Sequence, residues 1–336
     1  MPGIFLSLTD EQEFVREAAA GTLLRQETLI AAREALDGGP RLSLWDVGVQ
    51  AGWPGLISSE EFDGAGLGAY EAMLVLEACG ARLADAGVLG HLPAVALLEQ
   101  AGADEDLRRA LATGEQRAAL VDTSVELTID AAGADVLVVV DDGGARLVTG
   151  SEATVTATPA YDATRSLATV SIVAGAGTAL DLAAARVRDG LDLQRALLAA
   201  DSVGAADAAR QMATAYAIDR HAFGRAIGSY QAIKHKLVEM LRRTENARSL
   251  LVQAGRAWTE DRPAFALQAN AARVVAADAL DYCAPENIFV HGGVGATWEH
   301  DAQLYYRRAE LARRLAGGAE AAAETVAEQL LARIAA

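Results

Sequence analysis

Apolar residues recur at helical spacing over residues 7–36, give way to a glycine-rich stretch at 51–68, and return at helical spacing over 69–83 and 87–114. Thr9 followed by Gln12 forms a capping box, so a long amphipathic helix is expected to begin there, with Phe14, Ala18, Leu23 and Leu24 on its apolar side. Near residue 116 the texture changes. Short β-branched runs occupy 117–121, 136–140, 146–149, 154–156 and 168–172, and Asp141-Asp-Gly-Gly144 is a hairpin signal between two of them. From residue 179 the spacing is helical again, with segments expected at 191–217, 232–259, 264–283, 299–315 and 320–335. The pattern predicts a mostly α chain with a small central β-domain. Its divisions are an N-terminal helical domain at 1–114, a reduced β-domain at 115–178 and a C-terminal helical bundle at 179–336.

Composition narrows the function classes. The 336 residues are 52% hydrophobic and 22% charged, enough to bury a large core. A formal charge of −17 argues against nucleic acid and against an anionic membrane surface. Two distant cysteines, Cys79 and Cys283, are too few for a disulfide framework and fit no metal site, so both read as buried, reduced thiols. There is no basic region followed by an apolar run at the start, and no stretch of about 18 apolar residues. A cytoplasmic protein is expected.

In so acidic a chain, isolated cations are informative. Arg220 and Arg225 flank Phe223 and Gly224 at the junction between two helical segments, with Gly228 and Gln231 following. A cation for phosphate, a ring for stacking and an amide for polar edges suit a nucleotide. The bland alternative is a helical hairpin with solvated arginines. The stretch reads Arg-x-x-Phe-Gly-x-x-Ile-x-x-x-Gln-x-x-x-His from Arg220 to His235. A second block runs His291-Gly-Gly-Val-Gly-Ala-Thr-Trp298-Glu-His-Asp301. Together they resemble the C-terminal domain of acyl-CoA dehydrogenases, and the 51–68 loop resembles the entry loop of that family. The resemblance implies that Arg220, Phe223, Ile227, Gln231, Gly292 and Gly293 hold the ADP half of an FAD bound mainly by a neighbouring subunit. Phe289 stands where the family usually has an FAD-binding glutamine.

The resemblance also exposes departures. The family removes a thioester α-proton with a glutamate while the flavin takes the β-hydride. One family position for that base reads Leu191-Asp-Leu-Gln194-Arg195 here, and the other falls at Ala316. The flavin-ring segments expected of the β-domain are also absent from 115–175. Such a half-set resembles the non-catalytic subunit of actinobacterial α2β2 dehydrogenases acting on steroid side-chain CoA thioesters. It implies a paralogous partner carrying the glutamate. Two alternatives stay open: a self-sufficient homotetramer with a displaced base such as Glu299 or Glu320, and a flavin-free scaffold. His235 is expected to pack, His291 to support the glycine turn, and Arg307, Arg308, Arg313 and Arg314 to form a solvated face or meet a partner or a CoA phosphate.

Overall fold

The computed structural model describes residues 8–335, so residues 1–7 and Ala336 lie outside this account. The N-terminal helices are α1 (Asp10–Leu24), α2 (Thr28–Leu36), α3 (Trp45–Gln50), α4 (Ala69–Ala81), α5 (Val88–Gln100) and α6 (Glu105–Thr113). The capping box forms as expected: Gln12 N–H donates to Thr9 Oγ1 at 3.2 Å, and Thr9 N–H donates to Gln12 Oε1 at 3.1 Å. The expected single helix is broken in two by the turn at 25–27, and its apolar side is corrected. Phe14 and Leu24 are 72% and 70% exposed, while Ala19 and Leu23 are buried with Val15 beside them. Residues 15, 19 and 23 lie four apart and form the stripe that meets the core.

The β-domain holds two small sheets. The first orders β1 (Ala118–Asp122), β3 (Val136–Asp141), β4 (Gly144–Thr149) and β7 (Thr178–Ala179), with β1 and β3 parallel. The second orders β2 (Thr128–Ile129), β6 (Leu167–Ile172) and β5 (Ala153–Ala157), all antiparallel. The hairpin closes at Asp141 opposite Gly144, and Asp141 Oδ1 accepts the Gly143 N–H at 2.8 Å. The unbroken apolar run of β3 has a direct cause. Val136, Val138 and Val140 pack towards α5, whereas Leu137 and Val139 pack towards the second sheet, so both faces are buried.

The C-terminal helices are α7 (Ala184–Asp219), α8 (Gln231–Glu260), α9 (Arg262–His291), α10 (Ala302–Ala312) and α11 (Gly318–Ala335). Between α7 and α8 lie two short strands, β8 (His221–Ala222) and β9 (Arg225–Ala226). At 1.5 Å per residue α7 runs roughly 54 Å and acts as the spine of the molecule. Its buried face is built from Ala196, Ala199, Ala200, Val203, Ala206 and Ala213. Small residues let α4 touch it backbone to backbone: a Cβ on Gly80 would fall 1.9 Å from the Asp201 carbonyl oxygen, and one on Gly204 only 1.8 Å from that of Glu77. One core then runs from the N-terminal helices through α7 to α9 and α10. Cys79 and Cys283 are buried and free.

Candidate functional site

The α7–α8 junction is a short β-hairpin. β8 and β9 pair antiparallel with Phe223 and Gly224 at the tip, at φ +51° and +82°. This two-residue turn matches the twist of the strands, but its first position suits glycine or asparagine. A side chain held there costs roughly 1–2 kcal/mol. Phe223 nonetheless occupies it, with its ring 97% exposed. The rest of the hairpin is braced. The Tyr230 hydroxyl donates to the Ala222 carbonyl at 3.0 Å, and the Arg225 guanidinium lies 4.0 Å from the Tyr230 ring centroid. Ile227 N–H donates to the Arg220 carbonyl at 2.7 Å, and the Ile227 side chain packs half-buried against the main core, which makes it an anchor.

The glycine block arrives at the same end of the bundle. Helix α9 continues past the expected stop, through Pro285, until Gly292 ends it at φ +66° and ψ −146°. His291 is buried, with Nδ1 2.8 Å from the Asn287 carbonyl oxygen. Its ring centroid lies 4.3 Å from that of Tyr216 on α7 and 4.3 Å from that of His300. Lys236 of α8 pairs with Glu286 of α9 at 2.6 Å and sits 4.3 Å from the Phe289 ring centroid. These contacts tie the end of α7, the start of α8 and the end of α9 together. Arg220, Phe223, Gln231, Gly292 and Gly293 are all exposed there. The Arg220 side chain has no hydrogen bond or ion pair among the described residues, although the chain carries a charge of −17. No side chain caps the first turn of α8, so Gln231 begins a helix whose free N–H groups and dipole favour an anion.

Gln194 and Ala316, which the sequence resemblance places where a catalytic base would be expected, lie elsewhere along α7 and past α10. Gln194 is buried, and its Nε2 donates to the Leu89 carbonyl of α5 at 3.3 Å. Ala316 sits at φ +53° in a tight turn, and its carbonyl accepts from Arg195 Nε at 3.3 Å. Arg195 also donates to Asn270 Oδ1 at 2.9 Å, and Asn270 in turn donates to Asp192 at 2.7 Å. Burial pushes the Asp192 carboxyl up to about 6, against the pull of Asn270 and Arg195. Glu299 and Glu320 are exposed. His235 is exposed too, so it does not pack as expected: it sits on the outer side of α8, while Ile233 and Leu237 take the inward side.

Sequence reasoning missed a buried charge cluster joining the β-domain to the bundle. Arg308 was expected on a solvated face or against a partner or a CoA phosphate, but its side chain is fully buried. Its Nε donates to Asp162 at 2.5 Å, its Nη1 to both Asp201 oxygens at 2.8 and 2.9 Å, and its Nη2 to Thr164 at 2.8 Å. Arg165 lies 2.5 Å from Asp201. Burial alone would raise the Asp162 carboxyl, yet the Arg308 and Arg165 guanidiniums hold it below the usual range. A signal was present: Asp201 is the lone acid in the Leu197-to-Ala206 run of α7, and a buried charge needs a partner. Arg307 stacks between Tyr161 and Trp298, with centroids at 4.6 and 5.5 Å, and Arg313 and Arg314 pair with Glu310. Among the described residues no cluster of His, Cys, Asp and Glu could hold a metal, and no helix is long and apolar enough to cross a membrane.

The chain is thus helical, then β, then helical, with the 220–231 hairpin and the 291–296 glycine block at one end of its C-terminal bundle. Residues 9–114 match the profile of the acyl-CoA dehydrogenase N-terminal domain, and residues 184–331 that of its C-terminal domain. Acyl-CoA dehydrogenase IpdE2 of Mycolicibacterium smegmatis is 33% identical over 314 residues, covering 92% of this chain and 96% of that protein. Among solved structures, the Tcur3481–Tcur3483 steroid acyl-CoA dehydrogenase G363A variant superposes with a TM-score of 0.87 at 22% identity, over 97% of this chain and 99% of that one. The ChsE4–ChsE5 complex of Mycobacterium tuberculosis does so at 0.85 and 22% identity, over 98% and 99%. The chain belongs to the acyl-CoA dehydrogenase family.

Proposed function

We propose that this chain is the cofactor-supporting subunit of a heteromeric FAD-dependent acyl-CoA dehydrogenase, paired with a paralogous subunit that carries the catalytic glutamate. The observation carrying this reading is a division within one chain. One end of the bundle presents an arginine unpaired among the described residues and an exposed ring, while the positions assigned to the family base hold groups that take no proton, Gln194 and Ala316. The residues present fit the ADP half of FAD. Arg220 and the α8 N-terminus would meet phosphate, Phe223 would lie against a flat apolar face, Gln231 would reach polar edges, and the Gly292–Gly293 backbone allows close approach. Burying Phe223 on a partner would return about 1.5–3 kcal/mol, which offsets its strained backbone. FAD, when bound, supplies the hydride acceptor for α,β-dehydrogenation of a CoA thioester. This chain's own residues bind and orient one half of it.

The solved neighbours named as a steroid enzyme and as a two-protein complex support a bulky steroid side-chain thioester and a paralogous partner as working assignments. The domain divisions at 114/115 and 178/179 remain part of this proposal, as does a cytoplasmic location. Arg220→Ala, made in the complex, is expected to lower FAD affinity ten- to a hundredfold, since a charge-assisted contact contributes about 1.5–3 kcal/mol. Helical content should not change. Flavin content that survives dialysis unchanged would reduce Arg220 to a surface residue.

A further inference from the structure

Helix α5 contains an interior proline, Pro93, on its buried length. Proline has no N–H, so the carbonyl four residues earlier, that of Leu89, loses its helical donor. Leu89 is only 2% exposed, and water does not replace that donor freely. The Gln194 amide of α7 points at this carbonyl, with Nε2 at 3.3 Å. Four residues earlier on α7, Gly190 packs so tightly on α5 that a Cβ there would lie 2.7 Å from the Leu97 side chain.

We infer that Gln194 supplies to Leu89 the hydrogen bond that Pro93 removes, and so fastens α7 to α5. The residue at the position of the family base is thereby a structural donor. The chemistry at 194 must be a donor, which excludes an ionised carboxylate: a glutamate there could satisfy Leu89 only while keeping its proton. The Gln194–Leu89 pairing belongs to this chain's own frame and holds whether or not flavin is shared between subunits.

The test is a double-substitution cycle read by urea unfolding of the full chain. Gln194→Met keeps volume but removes the donor, leaving a buried carbonyl unsatisfied, so the unfolding constant should rise about tenfold or more. In a Pro93→Ala background the backbone N–H restored at position 93 takes the Leu89 carbonyl, and the same change should then cost less than about threefold. Equal costs in the two backgrounds would overturn the inference. Gln194→Glu gives a second reading. A buried glutamate that must keep its proton to meet the Leu89 carbonyl has a raised pKa, so its contribution is intact below the unfolded value of about 4.3 and is lost as pH rises above it. The deficit of Gln194→Glu relative to the native chain should therefore widen from pH 5 to pH 8. A deficit that stays level or narrows would contradict the assignment.

Discussion

Arg308→Met is expected to destabilise the chain by about 3–5 kcal/mol, because it leaves buried carboxylates without their main counter-charge. Arg308 holds Asp162 of the β-domain and Asp201 of α7 at once, inside a shell with almost no solvent access. Arg165 stays beside Asp201, so one acid keeps a partner, but Asp162 loses the guanidinium that bonds it directly. The pH dependence follows from the sign of the Asp162 shift. A carboxyl held below its ordinary range adds stability above the unfolded value of about 4 and loses it as pH falls. The cost of Arg308→Met should accordingly be largest near neutrality and shrink in acid. Urea unfolding at pH 7 and pH 4 measures it, with Arg314→Met, on an exposed side chain, expected within about 0.5 kcal/mol of the native chain. A cost for Arg308→Met below about 1 kcal/mol would mean that the cluster does not join the β-domain to the bundle.

The second large effect concerns turnover. In the proposed complex, removing the glutamate assigned to the partner should lower the rate by roughly 10²–10⁴-fold, the usual contribution of a positioned general base. Adding Gln194→Glu to this chain restores the family's Leu-Asp-Leu-Glu-Arg wording at nearly equal volume, yet it should recover none of that loss. The new carboxyl would face the Leu89 carbonyl and keep its proton, so it would be no base at working pH. Nor does residue 194 open to a thioester held for proton abstraction. Substrate-dependent bleaching of flavin in the doubly substituted complex is the readout. Recovery to a substantial fraction of the unsubstituted rate would show that this chain holds a working pocket lacking only its carboxylate.

The parts of this fold that could be read from sequence are those set by neighbours in the chain. Thr9 and Gln12 cap a helix because both partners lie within one turn. Val136 to Val140 declares a strand buried on both faces, and Asp141 to Gly144 closes the following hairpin. What failed depends on distant partners. Phe14 and Val15 are equally apolar neighbours on α1, and only the packing core selects the stripe through Val15, Ala19 and Leu23. The segment expected to end at 283 runs on through Pro285, because a proline costs one helical bond, and the helix continues to a glycine that stops it. Arg308 looked like one of several surface arginines, since its acids lie 107 and 146 residues away in sequence.

The candidate site follows the same rule. The type and spacing of Arg220, Phe223, Gln231, Gly292 and Gly293 are read from sequence, as are Gln194 and Ala316, and the roles given to them belong to the proposed function. That Phe223 tops a strained hairpin is not read there, because glycine is the residue expected at such a φ. Nor did the sequence indicate a duty for Gln194, whose partner carbonyl is orphaned by a proline on another helix.

The most direct measurement is flavin absorbance per chain, taken for this protein purified alone and purified with a co-expressed paralogous dehydrogenase subunit. The account predicts a colourless, inactive preparation of the chain alone and about one FAD per heterodimer in the active complex, with the partner's glutamate required for turnover. A yellow, active preparation of this chain by itself would contradict it.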